Sequence, residues 1–274
     1  MTIAWSNNAV SWPVFAVLSR DIKKSGLLFY DFEKRRMIDD FSASRYVNSV
    51  SSYGEGSGKF LYTADEGFGR YAVYYYDYYS KEKRKLFEYE NVLNAPFRIS
   101  NSFCALSAKS KTQKQRYNYD VVCNGEIAIS DIFQVYSYYN HNGDSAIFVD
   151  GVGTNTNAYN IYKENETFEH RTYKIPFFSN IFTITSGELG LVLIDRGNHE
   201  IREYTIRNDS ITSIGDYDFS GSTCDGIERY KKIILINGDR AIGARINDSE
   251  DGIEFFVCDL NESNNSYQAS MKID

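Results

Sequence analysis

The chain has 274 residues, with 30 Lys and Arg against 37 Asp and Glu, so its net charge is −7 at pH 7. A hydrophobic content of 42% is enough for a sizeable core, which excludes a globally disordered chain. Aromatic residues make up 16% of the chain, and such residues favour strands over helices.

Strand patterns recur along the chain, each beginning with an apolar stretch. In chain order these stretches are VFAVLSRD (14–21), KFLYTADE (59–66), FCALSAKS (103–110), SAIFVDGV (145–152), LGLVLIDR (189–196) and RAIGARIND (240–248). Each is followed by a hairpin pattern, in which an apolar strand leads through a turn rich in Asn, Gly, Ser and charge into a second strand. Most are preceded by a shorter candidate strand, such as RYVNSVSS, PFRISNSF or IFTITSG. The sequence therefore predicts groups of four consecutive strands.

The hairpins are regularly spaced. Aligned on Asp31, Asp77, Asp120, Lys163, Thr205 and Asp259, they lie 46, 43, 43, 42 and 54 residues apart. Four strands in this period are typical of the blades of a propeller, in which stacked sheets cover the faces that one sheet leaves exposed. The longer last spacing predicts an insertion between Cys224 and Asp239.

Over nearly its whole length the chain resembles the β-propellers. The resemblance implies an all-β fold, a six-bladed β-propeller of four-stranded antiparallel blades, in a single domain spanning residues 1–274. The marks of WD40, sialidase-like and kelch blades are missing, so no subfamily is indicated. A two-domain all-β sandwich is the rival architecture. The alternative that Thr2–Ser6 closes the ring against the last blade stays open.

The stretch RYAVYYYDYYSKEKRKLFEYE (70–90) concentrates tyrosine and then lysine. In a blade, alternating tyrosines fill the gaps to the neighbouring sheets, and their hydroxyls reach solvent or a backbone partner. The lysine-rich part, residues 81–85, is predicted to be a hairpin turn that runs into an outer strand, where lysines discourage edge pairing.

Neither a metal site nor a catalytic group is predicted. The four cysteines form no C-x-x-C pair and match no zinc spacing, so we predict free, mostly buried thiols. The three histidines, His141, His170 and His199, lie in different repeats. No cofactor motif is present. No stretch is long and apolar enough to cross a membrane and no leader is recognised, so we predict a cytoplasmic protein without membrane contact.

Charge is unevenly spread along the chain. Residues 1–137 hold 18 basic and 15 acidic residues, a net +3, whereas residues 138–274 hold 12 and 22, a net −10. In a propeller, the turns between second and third strands share a face with the connections between blades. That face is predicted to gather an acidic, tyrosine-bearing surface comprising Asp65, Glu66, Glu88, Tyr89, Glu90, Asp150, Asp195, Glu200, Asp216, Tyr217, Asp218, Asp248, Glu250 and Asp251. Such a surface suits a basic protein partner.

The predicted function is non-enzymatic protein binding by a chain that is monomeric on its own. In physical character the chain is similar to bacterial immunity proteins, which neutralise a basic toxin such as a nuclease by covering its active site. The alternative is a carbohydrate-active or other hydrolytic propeller with its site at the axial funnel. Nucleic-acid binding through residues 81–85 and the basic loop 109–116 is disfavoured, because phosphate affinity needs a net basic footprint.

Overall fold

The computed structural model describes residues 2–6, 14–18, 27–34, 36–38, 46–53, 58–109, 118–133, 138–141, 143–150, 157–174, 181–186, 191–195, 200–207, 210–218, 223–224, 226–229, 232–236, 240–246, 252–260 and 267–272. Within these residues the regular structure is almost entirely β, which confirms the predicted class. They include no helix with the length and apolar character needed to cross a membrane.

The described strands form six four-stranded sheets, numbered here in chain order. Sheet one holds β1 (Thr2–Ser6), β2 (Val14–Leu18), β3 (Leu27–Asp31) and β4 (Arg36–Ile38). Sheet two holds β5 (Val47–Ser52), β6 (Lys59–Gly67), β7 (Arg70–Asp77) and β8 (Lys83–Tyr89). Sheet three holds β9 (Leu93–Ile99), β10 (Ser102–Ala108), β11 (Asn118–Cys123) and β12 (Glu126–Phe133).

The remaining sheets repeat this arrangement. Sheet four holds β13 (Tyr138–His141), β14 (Ser145–Asp150), β15 (Asn157–Glu164) and β16 (Thr167–Lys174). Sheet five holds β17 (Ile181–Ser186), β18 (Leu191–Asp195), β19 (Glu200–Arg207) and β20 (Ser210–Asp218). Sheet six holds β21 (Lys232–Ile236), β22 (Arg240–Ile246), β23 (Gly252–Asp259) and β24 (Tyr267–Lys272).

Each sheet is built from four consecutive strands, each hydrogen-bonded to the next. The six predicted apolar stretches all become second strands, and each predicted hairpin supplies the third and fourth. Strand β1 pairs in antiparallel register with β2, from Thr2 opposite Leu18 to Ser6 opposite Val14. The N-terminal strand therefore belongs to sheet one.

The predicted insertion between Cys224 and Asp239 needs correction. This segment contains a 3-10 helix, Ile227–Arg229, followed by β21, the first strand of sheet six. The apolar run Ile233–Ile236 pairs with β22. The extra length of the last repeat therefore includes a turn of helix, while the apolar run belongs to the regular four-strand pattern.

Contacts between residues divide the chain into two compact units. Unit one comprises residues 1–135, 141–146 and 160–171, and unit two comprises residues 136–140, 147–159 and 172–274. The single domain over residues 1–274 stays a prediction.

In unit one, sheets one and two share an aromatic core. Phe29 on β3 is fully buried, and its ring centroid lies 5.2 Å from that of Phe60, 5.1 Å from that of Tyr76 and 5.7 Å from that of Tyr78. Tyr76 and Tyr78 belong to the tyrosine-rich stretch, and their rings cover the neighbouring sheet, as predicted. A second cluster joins sheets two and three through Val73, Leu93 and residues around them.

Two hydroxyl groups of this stretch bond to carboxylates, partners that the sequence did not predict. Tyr74 donates to Glu66 Oε1 at 2.7 Å, and Tyr78 donates to Asp31 Oδ2 at 3.2 Å. The lysine-rich segment does form a turn and then an outer strand, since β8 begins at Lys83 and residues 81–85 are exposed. Lys81 lies over the ring of Tyr78, 4.5 Å from its centroid.

Asp31 is a buried carboxylate at the end of β3, with its side chain 1% exposed. It accepts hydrogen bonds from the Lys34 backbone at 3.0 Å and from the Tyr78 hydroxyl, and Lys34 Nζ lies 2.9 Å from Oδ2. Burial raises the pKa of Asp31, but the hydrogen bonds and charge of Lys34 and the Tyr78 hydroxyl outweigh it, so the net shift is downward. The ionised form is therefore the one that the fold stabilises.

The substitution Asp31→Asn is expected to lower the free energy of unfolding by about 2 kcal/mol at pH 7. Because the pKa of Asp31 is depressed in the fold, its contribution is present above its ordinary pKa and is lost as the pH falls through the folded value. The gap between wild type and variant should therefore narrow below about pH 4. Urea unfolding across pH 3–7 measures this gap, with the exposed Glu164→Gln as control. A gap that does not change with pH would contradict the prediction.

In unit two, a core cluster joins sheets five and six. Ile201 of β19 and Ala241 of β22 are fully buried in it, together with Ile227 of the 3-10 helix. Thr223 Oγ1 accepts a hydrogen bond from the Asp259 backbone N–H at 3.1 Å and donates to the Asp259 carbonyl at 3.0 Å. These bonds fix the segment before β21 against β23.

The prediction of four free thiols is wrong, because the cysteines form two disulfides, Cys104–Cys123 and Cys224–Cys258. Cys104 on β10 lies directly opposite Cys123 on β11 in the sheet-three register. The second disulfide ties the turn before the 3-10 helix to β23. The spacings of 19 and 34 residues match no zinc pattern, and only the strand register brings the partners together.

Candidate functional site

The predicted partner-binding residues lie in two groups, one in each unit. In unit one, Asp65 and Glu66 lie near the end of β6, just before a tight turn, while Glu88 and Tyr89 end β8 and Glu90 directly follows it. Tyr71 of β7 stands opposite both Asp65 and Tyr89 in the register. The hairpin β6–β7 and strand β8 therefore bring all five predicted residues to one end of sheet two.

Two cations partly neutralise these sheet-two carboxylates, defined as Asp65, Glu66, Glu88 and Glu90. Lys85 Nζ lies 3.2 Å from Glu66 Oε2 and also contacts Glu88, and Arg70 lies 3.6 Å from Glu88. The hydrogen bond to Glu88 is the main reason that the pKa of Lys85 is raised. These contacts involve Glu66 and Glu88, and the four carboxylates outnumber the two cations, so this end of the sheet stays acidic.

The tyrosines near this group are partly buried. Tyr89 is half-buried and packs against the core cluster between sheets two and three. Burial, with a smaller contribution from its hydrogen bond to Glu66, raises the pKa of Tyr74 to about 12. The Tyr74 hydroxyl therefore stays protonated at neutral pH and serves as a donor to Glu66.

The unit-two group centres on sheet five. Its predicted residues form the sheet-five carboxylates, defined as Asp195, Glu200, Asp216 and Asp218. Asp195, Glu200 and Asp218 stand opposite one another across β18, β19 and β20. Asp216 stands opposite Arg202, whose Nε donates to Glu200 at 2.8 Å and lies 3.9 Å from Asp216. Asp216 and Asp218 are exposed, and Tyr217 between them is half-buried against the core cluster. Among the residues that the structure describes at this end of sheet five, Arg202 is thus set among four acidic positions.

The other predicted residues are less informative. Asp150 ends β14, whereas Asp248, Glu250 and Asp251 lie outside the described residues. The sequence predicts that the partner-binding residues of both units share one face of the propeller, and this stays a prediction. His170 is exposed on β16, His141 ends β13, and His199 is not among the described residues. The part of the chain that the structure describes contains no group of His, Cys, Asp or Glu that could hold a metal ion.

The start of the basic loop at 109–116 has a structural role. Lys109 Nζ lies 2.9 Å from Asp120 and 3.0 Å from Asp131, and its hydrogen bond to Asp120 is the largest cause of its raised pKa. Residues 110–117 lie outside the described residues. Lys109 therefore bridges β11 and β12 rather than extending a basic surface.

One residue that sequence reasoning missed is Phe68, in the turn between β6 and β7. Its side chain is 105% exposed, more than any other exposed large hydrophobic side chain among the described residues. The available signal was the sequence Gly-Phe-Gly at 67–69, in which an aromatic residue lies between two glycines in a place where a polar turn residue is usual.

Comparison with known proteins supports the fold. No protein-family profile matches the sequence, and neither does any curated protein. TolB from Acinetobacter baumannii is similar in structure, with a TM-score of 0.54, 13% identity and 98% of this chain covered. A candidate 6-phosphogluconolactonase from Bacteroides uniformis is similar with a TM-score of 0.52 and 12% identity. The match covers 94% of this chain and 80% of the lactonase chain. This chain spans 63% of the TolB chain.

Both structures are propeller-type folds, so the predicted β-propeller class is confirmed. At these identities the likeness shows the fold alone. The arrangement of sheets in each unit agrees with it, because neighbouring sheets cover each other's faces with apolar side chains, as stacked blades do.

Proposed function

We propose that this chain is a non-enzymatic six-bladed β-propeller that binds a basic protein. The observation that carries the proposal is the set of sheet-five carboxylates, where register places three acidic residues opposite one another and a fourth opposite Arg202. Such a set lies in the half of the chain whose net charge is −10. Concentrated negative charge raises the rate at which a cationic partner associates and fixes its orientation.

The more specific form of the proposal is an inhibitor that neutralises a basic toxin, such as a nuclease, by covering its active site. Exposed carboxylates such as Asp216 and Asp218 take the place of the phosphates that a nuclease binds. Tyr217 lies between them and supplies aromatic surface next to that charge. The sheet-two carboxylates form a second contact region of the same sign.

The first test is an affinity pull-down from the native host at low salt, with bound proteins identified by mass spectrometry. One stoichiometric basic partner that raised salt releases is the expected result. If no protein is captured, the proposal fails. A glycan and small-molecule screen would then follow, because a hydrolytic propeller is the alternative that remains.

Reversing the charge at Asp216→Lys and Asp218→Lys together is expected to weaken binding of the captured partner by about tenfold or more at low salt. The loss should shrink as salt rises, because exposed charges are screened. Titration calorimetry at two salt concentrations measures both effects. The matched control is Glu164→Lys with Glu169→Lys, which makes the same charge change at exposed positions of β15 and β16. Equal affinities for the two double variants would remove sheet five from the binding surface.

A further inference from the structure

The turn between β6 and β7 has an unusual residue at its tip. Gly67 stands opposite Arg70 in the register, so Phe68 and Gly69 form a two-residue loop. Both have positive φ, 54° at Phe68 and 77° at Gly69, which is the pattern of a type I′ turn. Such turns favour Asn or Gly at the first loop position, because a larger L-residue is strained at positive φ.

Two other tight turns of this chain follow that preference. Asn124 precedes Gly125 between β11 and β12, and Asn165 precedes Glu166 between β15 and β16, with positive φ at all four residues. Like Phe68, both asparagines are exposed. The chain thus places Asn in equivalent backbone positions in these two turns, and the two-residue turn between β9 and β10 has Ser100 there, with a φ of 53°. All three residues are polar, and Phe68 differs from them in being aromatic.

Packing does not account for the phenylalanine either, because its side chain is fully exposed. Two more apolar side chains lie at the same end of sheet two, Tyr46 at 44% and Val92 at 40% exposure. The Tyr46 carbonyl accepts a hydrogen bond from the Asp65 backbone N–H at 3.0 Å, which fixes it beside the end of β6. Gly69 in the turn lies close to Glu90, because a Cβ placed on Gly69 would be 4.0 Å from the Glu90 carbonyl oxygen. Val92 follows Glu90 by two residues.

The charge around this apolar group indicates what it can bind. Asp65 and Glu66 directly precede the turn, and Glu88 and Glu90 lie at the adjacent end of β8. Arg70 and Lys85 offset part of that charge through Glu66 and Glu88. Apolar side chains set among an excess of carboxylates match a surface that offers an apolar pocket bordered by Lys or Arg.

We propose that Phe68 is a docking anchor that inserts into an apolar pocket of a basic protein, with Tyr46 and Val92 at the edge of the contact. The inference rests on the proposed function, since it assumes a basic protein partner, and it places one contact on sheet two. Residues 67–69 all have positive φ, and the ring of Phe68 in this turn is fully exposed. A protruding aromatic ring supplies contact area at low entropic cost, as binding hot spots do.

The key variant is Phe68→Asn, because the proposal predicts that stability and binding change in opposite directions. Asparagine relieves the backbone strain, so the midpoint of thermal unfolding should rise by roughly 2–4 °C. A fall in the midpoint would show that the ring supports the fold, and it would overturn the proposal.

Binding is tested with a random dodecapeptide library on phage, selected against the full-length wild-type chain. The expected result is enrichment of peptides carrying Lys or Arg beside apolar residues, with affinity at least about tenfold weaker for Phe68→Asn than for wild type. Asn124→Ala, at the equivalent turn position of sheet three, is the control and should bind these peptides as wild type does.

Three outcomes would overturn the inference: no enrichment, equal affinity for Phe68→Asn, or Phe68-dependent peptides that lack basic residues. Sedimentation of the free chain and flotation with phosphatidylcholine vesicles add two more. Self-association or vesicle binding that Phe68→Asn abolishes would assign the ring to a second copy or to a lipid surface instead. The lysate pull-down is independent of this selection, so failure of the anchor and failure of the proposed function are separable.

Discussion

Replacing Cys224 and Cys258 by alanine is expected to lower the free energy of unfolding by about 4 kcal/mol, and replacing Cys104 and Cys123 by about 3 kcal/mol. A disulfide stabilises the fold mainly by restricting the unfolded chain, and the restriction grows with the number of residues it encloses. The separations of 34 and 19 residues set the order of the two effects. Urea unfolding with and without a reducing agent measures them.

Each double variant serves as the control for the other. Reduction should destabilise a variant only through the disulfide that it retains, whereas a variant lacking all four cysteines should not respond. Alkylation of the unreduced protein that labels all four thiols would contradict the paired state. The same alkylation on intact host cells tests the predicted cytoplasmic location. The cytosol of most organisms keeps thiols reduced, so a cytoplasmic protein would be labelled there.

Truncating Phe29 to alanine is expected to lower the free energy of unfolding by about 4 kcal/mol. The ring is fully buried between sheets one and two, in contact with the rings of Phe60, Tyr76 and Tyr78. Removing it leaves a cavity where two sheets cover each other. Urea unfolding monitored by tyrosine fluorescence provides the measurement.

The matched control is Phe68→Ala, which removes the same ring from a fully exposed position. That change should alter the free energy of unfolding by no more than about 0.5 kcal/mol. If both substitutions cost the same, the packing of sheet one on sheet two is not what stabilises unit one.

The strands were predictable because their signals are local. The apolar stretches and hairpin turns lie within spans of about 20 residues, and β2, β6, β10, β14, β18 and β22 all formed where the alternation indicated. The buried tyrosines were predictable for the same reason, since the tyrosines of β7 alternate between the two faces of the sheet.

Interactions that depend on register were not predictable. Cys104 and Cys123 meet because β10 and β11 align them, and sequence spacing alone does not report that alignment. The same holds for Glu66 on β6, whose charge is partly neutralised by Lys85 on β8, two strands away in the sheet. Counting carboxylates along the chain therefore does not report which of them are paired with cations in the fold, such as Glu66 with Lys85 on sheet two or Asp216 with Arg202 on sheet five.

The placement of β1 beside β2 has an evolutionary consequence. Because all six sheets are drawn from contiguous stretches of chain, one duplicated gene segment encodes a complete sheet with every pairing partner included. A copy inserted in tandem adds a sheet without disturbing the pairing in the others. The spacings of 42 to 46 residues between the first five hairpins, before the last of 54, are what descent from one ancestral segment would leave.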